Sequence, residues 1–130
     1  MKKLLEAATL ARKNAYVPYS HFKVGAALLL KNGEIITGCN VENASYGLCN
    51  CAERTALFKA YSEGIKKEDI VAMSICADTD GPVSPCGSCR QVMSELLNKN
   101  TPVYLTNLKG DVKEMSVDEL LPYSFDASDL

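Results

Sequence analysis

Two short stretches, Cys51-Ala52-Glu53-Arg54 and Pro85-Cys86-Gly87-Ser88-Cys89-Arg90, constrain this chain more than any other feature. Three thiols with one carboxylate beside the first of them make a zinc site that keeps one coordination position open. Structural zinc is normally closed by four protein ligands, whereas catalytic zinc holds three and leaves the fourth position free. Cys51, Cys86 and Cys89 supply three. Glu53, two residues beyond the first thiol, can reach the open position without being a ligand, which is the placement a general acid/base needs. The P-C-x-x-C half alone is a weak signal. With C-A-E ahead of it, the pair predicts a hydrolytic site built on one Zn²⁺ per chain.

Thiolates create a difficulty of their own. Three of them on Zn²⁺ leave a net charge of about -1, which makes the metal a poor Lewis acid unless the surroundings compensate. Both ligand segments are expected to start helices, and a helix N-terminus presents roughly half a positive charge to the sulfurs. Arg54 follows the acid and can donate charge-assisted hydrogen bonds to the Cys51 or Cys86 sulfur; the plainer alternative is a solvated helix surface. Arg90 and Gln91 are weaker candidates for the same task.

The rest of the chain reads as an α/β domain. Leu4, Leu5, Ala8, Ala11 and Ala15 fall at helical spacing, predicting a helix over 2–15 that stops before Pro18. Residues 16–21 read as a loop, and the nearly unbroken apolar run 22–30 as a strand buried on both faces. Asn32-Gly33 predicts a hairpin with a two-residue type I′ turn, in which both central residues need positive φ, leading to a strand over 34–37. A polar loop over 38–50 carries Asn40, Glu42, Ala44 and Tyr46 into the first thiol motif. Helical spacing resumes over 51–61, with Glu53 on the same face as Ala56, Leu57 and Ala60. A carboxylate at the head of a core-facing stripe is paired, protonated or working, because an isolated buried charge is costly. Residues 70–77 read as a third strand, expected parallel to the second. A helix from Cys86 to Asn98, strands at 103–106 and 112–115, and a short helix capped by Ser116 complete the order α-β-β-α-β-α-β-β-α. The expected architecture is three layers, α-β-α, around a mixed five-stranded sheet, with all of 1–130 in a single domain.

Charge and cysteine usage exclude several classes. A net charge of -2 and a pI near 5.4 leave no concentrated basic surface, so neither nucleic acid nor an acidic membrane is an expected partner. The apolar runs are too short to cross a bilayer, and Met1-Lys2-Lys3 does not open a signal peptide. The six cysteines therefore point to metal ligation in a reducing cytoplasm. Cys39 and Cys76 read as small buried apolar residues. Cys49, two residues before Cys51, stands as a rival ligand, although only Cys51 has the carboxylate correctly spaced after it. His21, the sole histidine, reads as a loop residue because three thiols already fill the ligand count.

The stretches Gly38-Cys39-Asn40-Val41-Glu42-Asn43-Ala44, Asn50-Cys51-Ala52-Glu53-Arg54-Thr55-Ala56 and Pro82-Val83-Ser84-Pro85-Cys86-Gly87-Ser88-Cys89-Arg90-Gln91 closely resemble the small tetrameric cytidine deaminases. The likeness runs from Pro18-Tyr19-Ser20 to Phe125. It implies zinc-dependent hydrolysis of cytidine and 2′-deoxycytidine to the uridines and ammonia, as in pyrimidine salvage. It further implies that Asn40 and Glu42 meet the ribose 3′-hydroxyl, that Phe22 lines the nucleoside pocket, and that the Ala52 backbone meets the base edge. In such homotetramers Ala44, Tyr46 and Phe125 of neighbouring subunits complete the pocket. From the residues alone, an Asn/Glu pair on a loop suits a sugar hydroxyl, since the acid accepts and the amide donates. Phe22 and Phe125, without the resemblance, would read as core or interface residues.

Three competing readings remain at this level. One is a deaminase of another small aminopyrimidine nucleoside or nucleotide. A polynucleotide-editing deaminase is disfavoured by the short acidic chain, which lacks a basic channel with interleaved aromatics. A structural zinc module closed by Cys49 would leave Glu53 with no reason to sit beside the metal.

Overall fold

In the computed structural model, which describes residues 1–130, the elements follow the predicted order. α1 (Lys2–Ala11) passes into a 3-10 turn over Arg12–Asn14, then come β1 (Val24–Leu30) and β2 (Ile35–Cys39). α2 (Ala52–Ser62), β3 (Ile70–Ala77) and α3 (Gly87–Leu96) form the middle of the chain, and β4 (Pro102–Asn107), β5 (Val112–Ser116) and α4 (Val117–Leu120) its end. α1 is shorter than the predicted 2–15 because its last turn tightens to 3-10, and Ala15 is already extended. The turn at Pro18 follows.

The five strands form one mixed sheet in the order β2-β1-β3-β4-β5. β1 is antiparallel to both β2 and β3, β3 is parallel to β4, and β5 returns antiparallel to β4. β3 does run in the same sense as β2, as predicted, yet its partner is β1. The cause lies in the composition of β1. Ala26, Leu28 and Leu30 face one core cluster and Ala27 the other, so this strand is stabilised only with helices above and below it and a strand on each edge. α2 therefore carries the chain across β1 to its free edge.

The β1–β2 hairpin forms at Asn32-Gly33, but its turn differs from the expected one. Gly33 alone has positive φ, at 90°. Gly33 N–H reaches Leu30 O at 2.9 Å, and Leu30 N–H reaches Glu34 O at 2.9 Å, which makes a three-residue connection. That is the common three-residue alternative, a turn ending in a left-handed glycine. Asn32 caps it from its side chain, accepting from Glu34 N–H at 2.9 Å, and so has no need of left-handed backbone itself.

Helices cover both faces of the sheet. α2, α3 and α4 share one core with Leu28, Leu57, Met73, Ile75, Met93 and Val103, while α1 alone covers the other face through Leu4 and Ala8 against Ala27, Ala72 and Cys76. α2 lies unusually close to β2. A Cβ at Gly38 would stand 2.5 Å from Ala56 N and 2.8 Å from Ala52 O, so only glycine allows this approach. Ser116 caps α4 reciprocally with Glu119, an arrangement that stabilises by about 0.5–2 kcal/mol. No helix is long and apolar enough to cross a membrane.

Candidate active site

Cys51 is the N-cap of α2 and Cys86 the N-cap of α3, and Cys89 sits in the first turn of α3. Neither helix has a side-chain cap, so the positive end of each dipole is left to face the sulfurs. Cys51 Sγ lies 3.8 Å from Cys86 Sγ, and Cys86 Sγ lies 3.4 Å from Cys89 Sγ. All three sulfurs are within 4.8 Å of one another. A tetrahedron of ~2.3 Å zinc–sulfur bonds has edges of about 3.8 Å, so the spacing suits zinc and leaves one vertex without a protein donor. Cys49, the rival fourth thiol, is turned elsewhere. Its sulfur accepts from Asn43 N–H at 3.3 Å and donates to Asn43 O at 3.5 Å, which ties the ends of the 43–49 loop.

The sulfurs are electrostatically coupled. Cys51 is held down to about 5 by the hydrogen bond from Cys89, helped by those from Arg54 and Cys86 and opposed by burial. Cys89 is pushed up by donating that bond, by burial and by the nearby Glu53 carboxylate. Arg54 Nη2 reaches Cys51 Sγ at 3.3 Å, as the sequence suggested, and this contact strengthens the hold of the guanidinium on its proton. Arg54 Nε is buried with no partner. The charged face of Arg54 is thus directed into the site and not to a solvated helix surface.

Glu53 is only 4% exposed, in the first turn of α2 beside the triad. Burial pushes its carboxyl above the usual carboxylate range, and the Cys51 charge adds to the effect, against hydrogen bonds from its own N–H and from Cys89. Burial favours its protonated form while the hydrogen bonds favour the charged one, and that opposition suits a group that must both take and give a proton. Ala52, next to it, is fully buried.

The loop residues are organised around one another. Both Glu42 oxygens are engaged: Oε1 accepts from Tyr19 N–H and Ser20 N–H, each at 3.1 Å, and Oε2 accepts from the Ser20 hydroxyl. These bonds hold the Glu42 carboxyl below its ordinary value. Asn40 accepts from Val24 N–H at 2.9 Å and donates to Phe22 O at 2.7 Å. Asn40 and Glu42 therefore shape the 18–22 segment that carries Phe22, a task that sequence spacing did not reveal because the partners lie about twenty positions away. One Asn40 amide hydrogen remains available. Phe22 is 42% exposed, and Ala44, Tyr46 (82%) and Phe125 (59%) are exposed as well.

The other singled-out residues fall outside the triad. His21 occupies an exposed loop position with φ 58°. Cys76 is buried and accepts from the Thr9 hydroxyl, whereas Cys39 is only half-buried, a departure from the expected core position. Arg90 and Gln91 do not bond to the sulfurs as suggested. Arg90 donates to Pro85 O, Leu120 O and Ser84 Oγ, and Gln91 to Phe125 O, because the side chains of this part of α3 face the C-terminal segment. The largest cavity, about 430 Å³ between α1 and the β4–β5 turn, contains none of the triad.

The family model for the cytidine and deoxycytidylate deaminase zinc-binding region matches residues 1–105. The chain is 62% identical over 127 residues to a cytidine deaminase of Halalkalibacterium halodurans, covering 98% of this chain and 95% of that one. It is 55% identical over 130 residues to a cytidine deaminase of Sporosarcina psychrophila, covering 100% and 94%. Its fold superposes with a TM-score of 0.93 on the crystal structure of a cytidine deaminase from Burkholderia pseudomallei, at 55% identity and covering 95% and 98%. By the family model that spans most of its length and by its identity to these relatives, the chain belongs to the cytidine and deoxycytidylate deaminase family of enzymes.

Proposed function

We propose that this protein hydrolytically removes the 4-amino group of cytidine and 2′-deoxycytidine, giving uridine or 2′-deoxyuridine and ammonia, in pyrimidine salvage. The observation that carries the reading is a buried Glu53, in the first turn of the helix that Cys51 caps, beside three sulfurs that lie within 4.8 Å of one another. Cys51, Cys86 and Cys89 would hold one Zn²⁺ per chain, and zinc so bound supplies Lewis-acid activation of water at neutral pH. Glu53 takes a proton from the attacking water and passes it to N3 of the pyrimidine as oxygen adds to C4. It then takes the remaining proton from that oxygen and delivers it to the departing amine, so that the C4–N bond breaks as the C4 carbonyl forms and ammonia leaves. Arg54 offsets the thiolate charge by its bond to Cys51.

Asn40 and Glu42 bind the ribose 3′-hydroxyl while holding the 18–22 loop, Phe22 packs on the nucleoside, and the Ala52 backbone meets the base edge. Ala44, Tyr46 and Phe125 of neighbouring subunits close the pocket in a homotetramer. Support for that assembly comes from the exposure of Tyr46 and Phe125, large apolar rings with little to cover them in one protomer. Residues 1–130 act as a single deaminase domain in the cytoplasm, on free nucleosides and not on polynucleotides or membranes; six free cysteines are in keeping with a reducing compartment.

Metal content per chain, measured together with conversion of cytidine to uridine before and after chelation, tests the reading. One zinc per chain and activity that is lost on chelation and returns with zinc are expected. Full activity in protein stripped of metal would overturn it.

A further inference from the structure

Of the three sulfurs, Cys86 has the least to hold it. Cys89 is fully buried in the core and Cys51 is half-buried, but Cys86 is exposed at the end of an irregular segment. Val83 N–H anchors that segment to Thr106 O at 3.3 Å, and Pro85, just before the thiol, has no N–H to offer. Arg90 closes the gap. Its Nε donates to Pro85 O at 2.8 Å, its Nη2 to Ser84 Oγ at 2.6 Å and its Nη1 to Leu120 O at 2.9 Å. One planar group thus grips the two residues ahead of Cys86 and the last residue of α4. Its own backbone N–H bonds Cys86 O at 3.0 Å.

We propose that Arg90 is a positioning residue for the metal centre: its guanidinium fork fixes the Ser84–Pro85 segment so that the Cys86 sulfur stays within reach of Cys51 and Cys89. Three acceptors in three directions match a rigid planar donor, whereas a lysine ammonium on a flexible stem can serve only part of them. The fork also joins this segment to α4, beyond which Gln91 donates to Phe125 O at 3.0 Å and Ser94 Oγ lies 3.0 Å from Ser124 Oγ. The residues that hold the thiol segment and those that hold the tail therefore lie together along α3.

The proposal rests on the reading of Cys86 as a zinc ligand, and its test separates the two. Zinc-loaded parent, Arg90→Ala, Arg90→Lys and Ser84→Ala proteins are mixed with a chromogenic zinc chelator and the release rate is followed by absorbance, alongside the thermal midpoint of each. Arg90→Ala should release zinc about 10- to 100-fold faster than the parent, the range for loss of a group that orients a ligand. Arg90→Lys should recover only part of that, and Ser84→Ala, which removes a single acceptor, should release about 2- to 10-fold faster. Leu4→Ala, which opens the core on the opposite face of the sheet and touches none of the fork's acceptors, should lower the midpoint and release zinc at the parental rate. Parental release from Arg90→Lys and Ser84→Ala overturns the positioning role even where Arg90→Ala does not fold, as does accelerated release from Leu4→Ala equal to theirs. A parent isolated without zinc overturns the ligand reading, and the proposal with it.

Discussion

Glu53 shows how much can rest on one side chain. It heads a stripe of buried apolar residues on α2, where an isolated carboxylate would be costly, and burial raises its pKa above the usual carboxylate range. Glu53→Gln keeps the size and the site but cannot shuttle a proton. It should retain one zinc per chain while kcat falls at least 10²–10⁴-fold, as steady-state kinetics and metal analysis would record. Glu42 illustrates the opposite case, a carboxylate kept charged by its partners. Its pKa is lowered chiefly by the Ser20 hydroxyl, so its hold on the 18–22 loop is complete above the ordinary carboxylate pKa of about 4.3 and is lost as pH falls through the lower folded value. Ser20→Ala should move the Glu42 midpoint up toward the ordinary value in a carboxylate NMR titration; an unmoved midpoint would remove Ser20 as the cause. The two halves of the site, Cys51 with Glu53 and Cys86 with Cys89, stood out in the chain because each spacing is local. The links from Glu42 to Tyr19 and Ser20 did not, since no local pattern joins residues so far apart.

The elements follow from periodicity, and their neighbours do not. Strand 70–77 was legible to the residue, and the sense of β3 followed from the crossover, but its pairing with β1 comes from the burial of β1 on both faces, which a one-dimensional pattern does not rank. The hairpin turn was misjudged for a similar reason: Asn32 satisfies Glu34 N–H from its side chain, and this removes the need for a second left-handed residue. Gly38 sets the distance between β2 and α2. Adding one methyl there meets helix backbone at 2.5 Å, so Gly38→Ala should destabilise by about 1–3 kcal/mol in urea unfolding. Because α2 carries both Cys51 and Glu53, the same variant should also lose turnover. Stability lost with full kcat retained would mean that the helix start is fixed independently of its packing on β2.

At the scale of the whole molecule, the triad joins residues 35 and more positions apart, bringing the starts of α2 and α3 together on one face of the sheet. Zinc bound there should stabilise the folded state by mass action, so stripping it with a chelator should lower the calorimetric midpoint by several degrees and readdition should restore it. An unchanged midpoint would show that the metal does not bridge the two helices. The proposed homotetramer is not readable from periodicity, because Tyr46 and Phe125 lie outside the strands and α-helices, where exposed rings have no repeat to betray a partner. The two chain ends meet the fold differently. Met1 leads into the only α-helix on the far face, while the segment before Leu130 is bonded to α3 through Gln91 and Ser94. An affinity handle or a surface tether at the amino end would leave the chemistry undisturbed, whereas one at the carboxyl end would tug on the helix that bears two of the thiols.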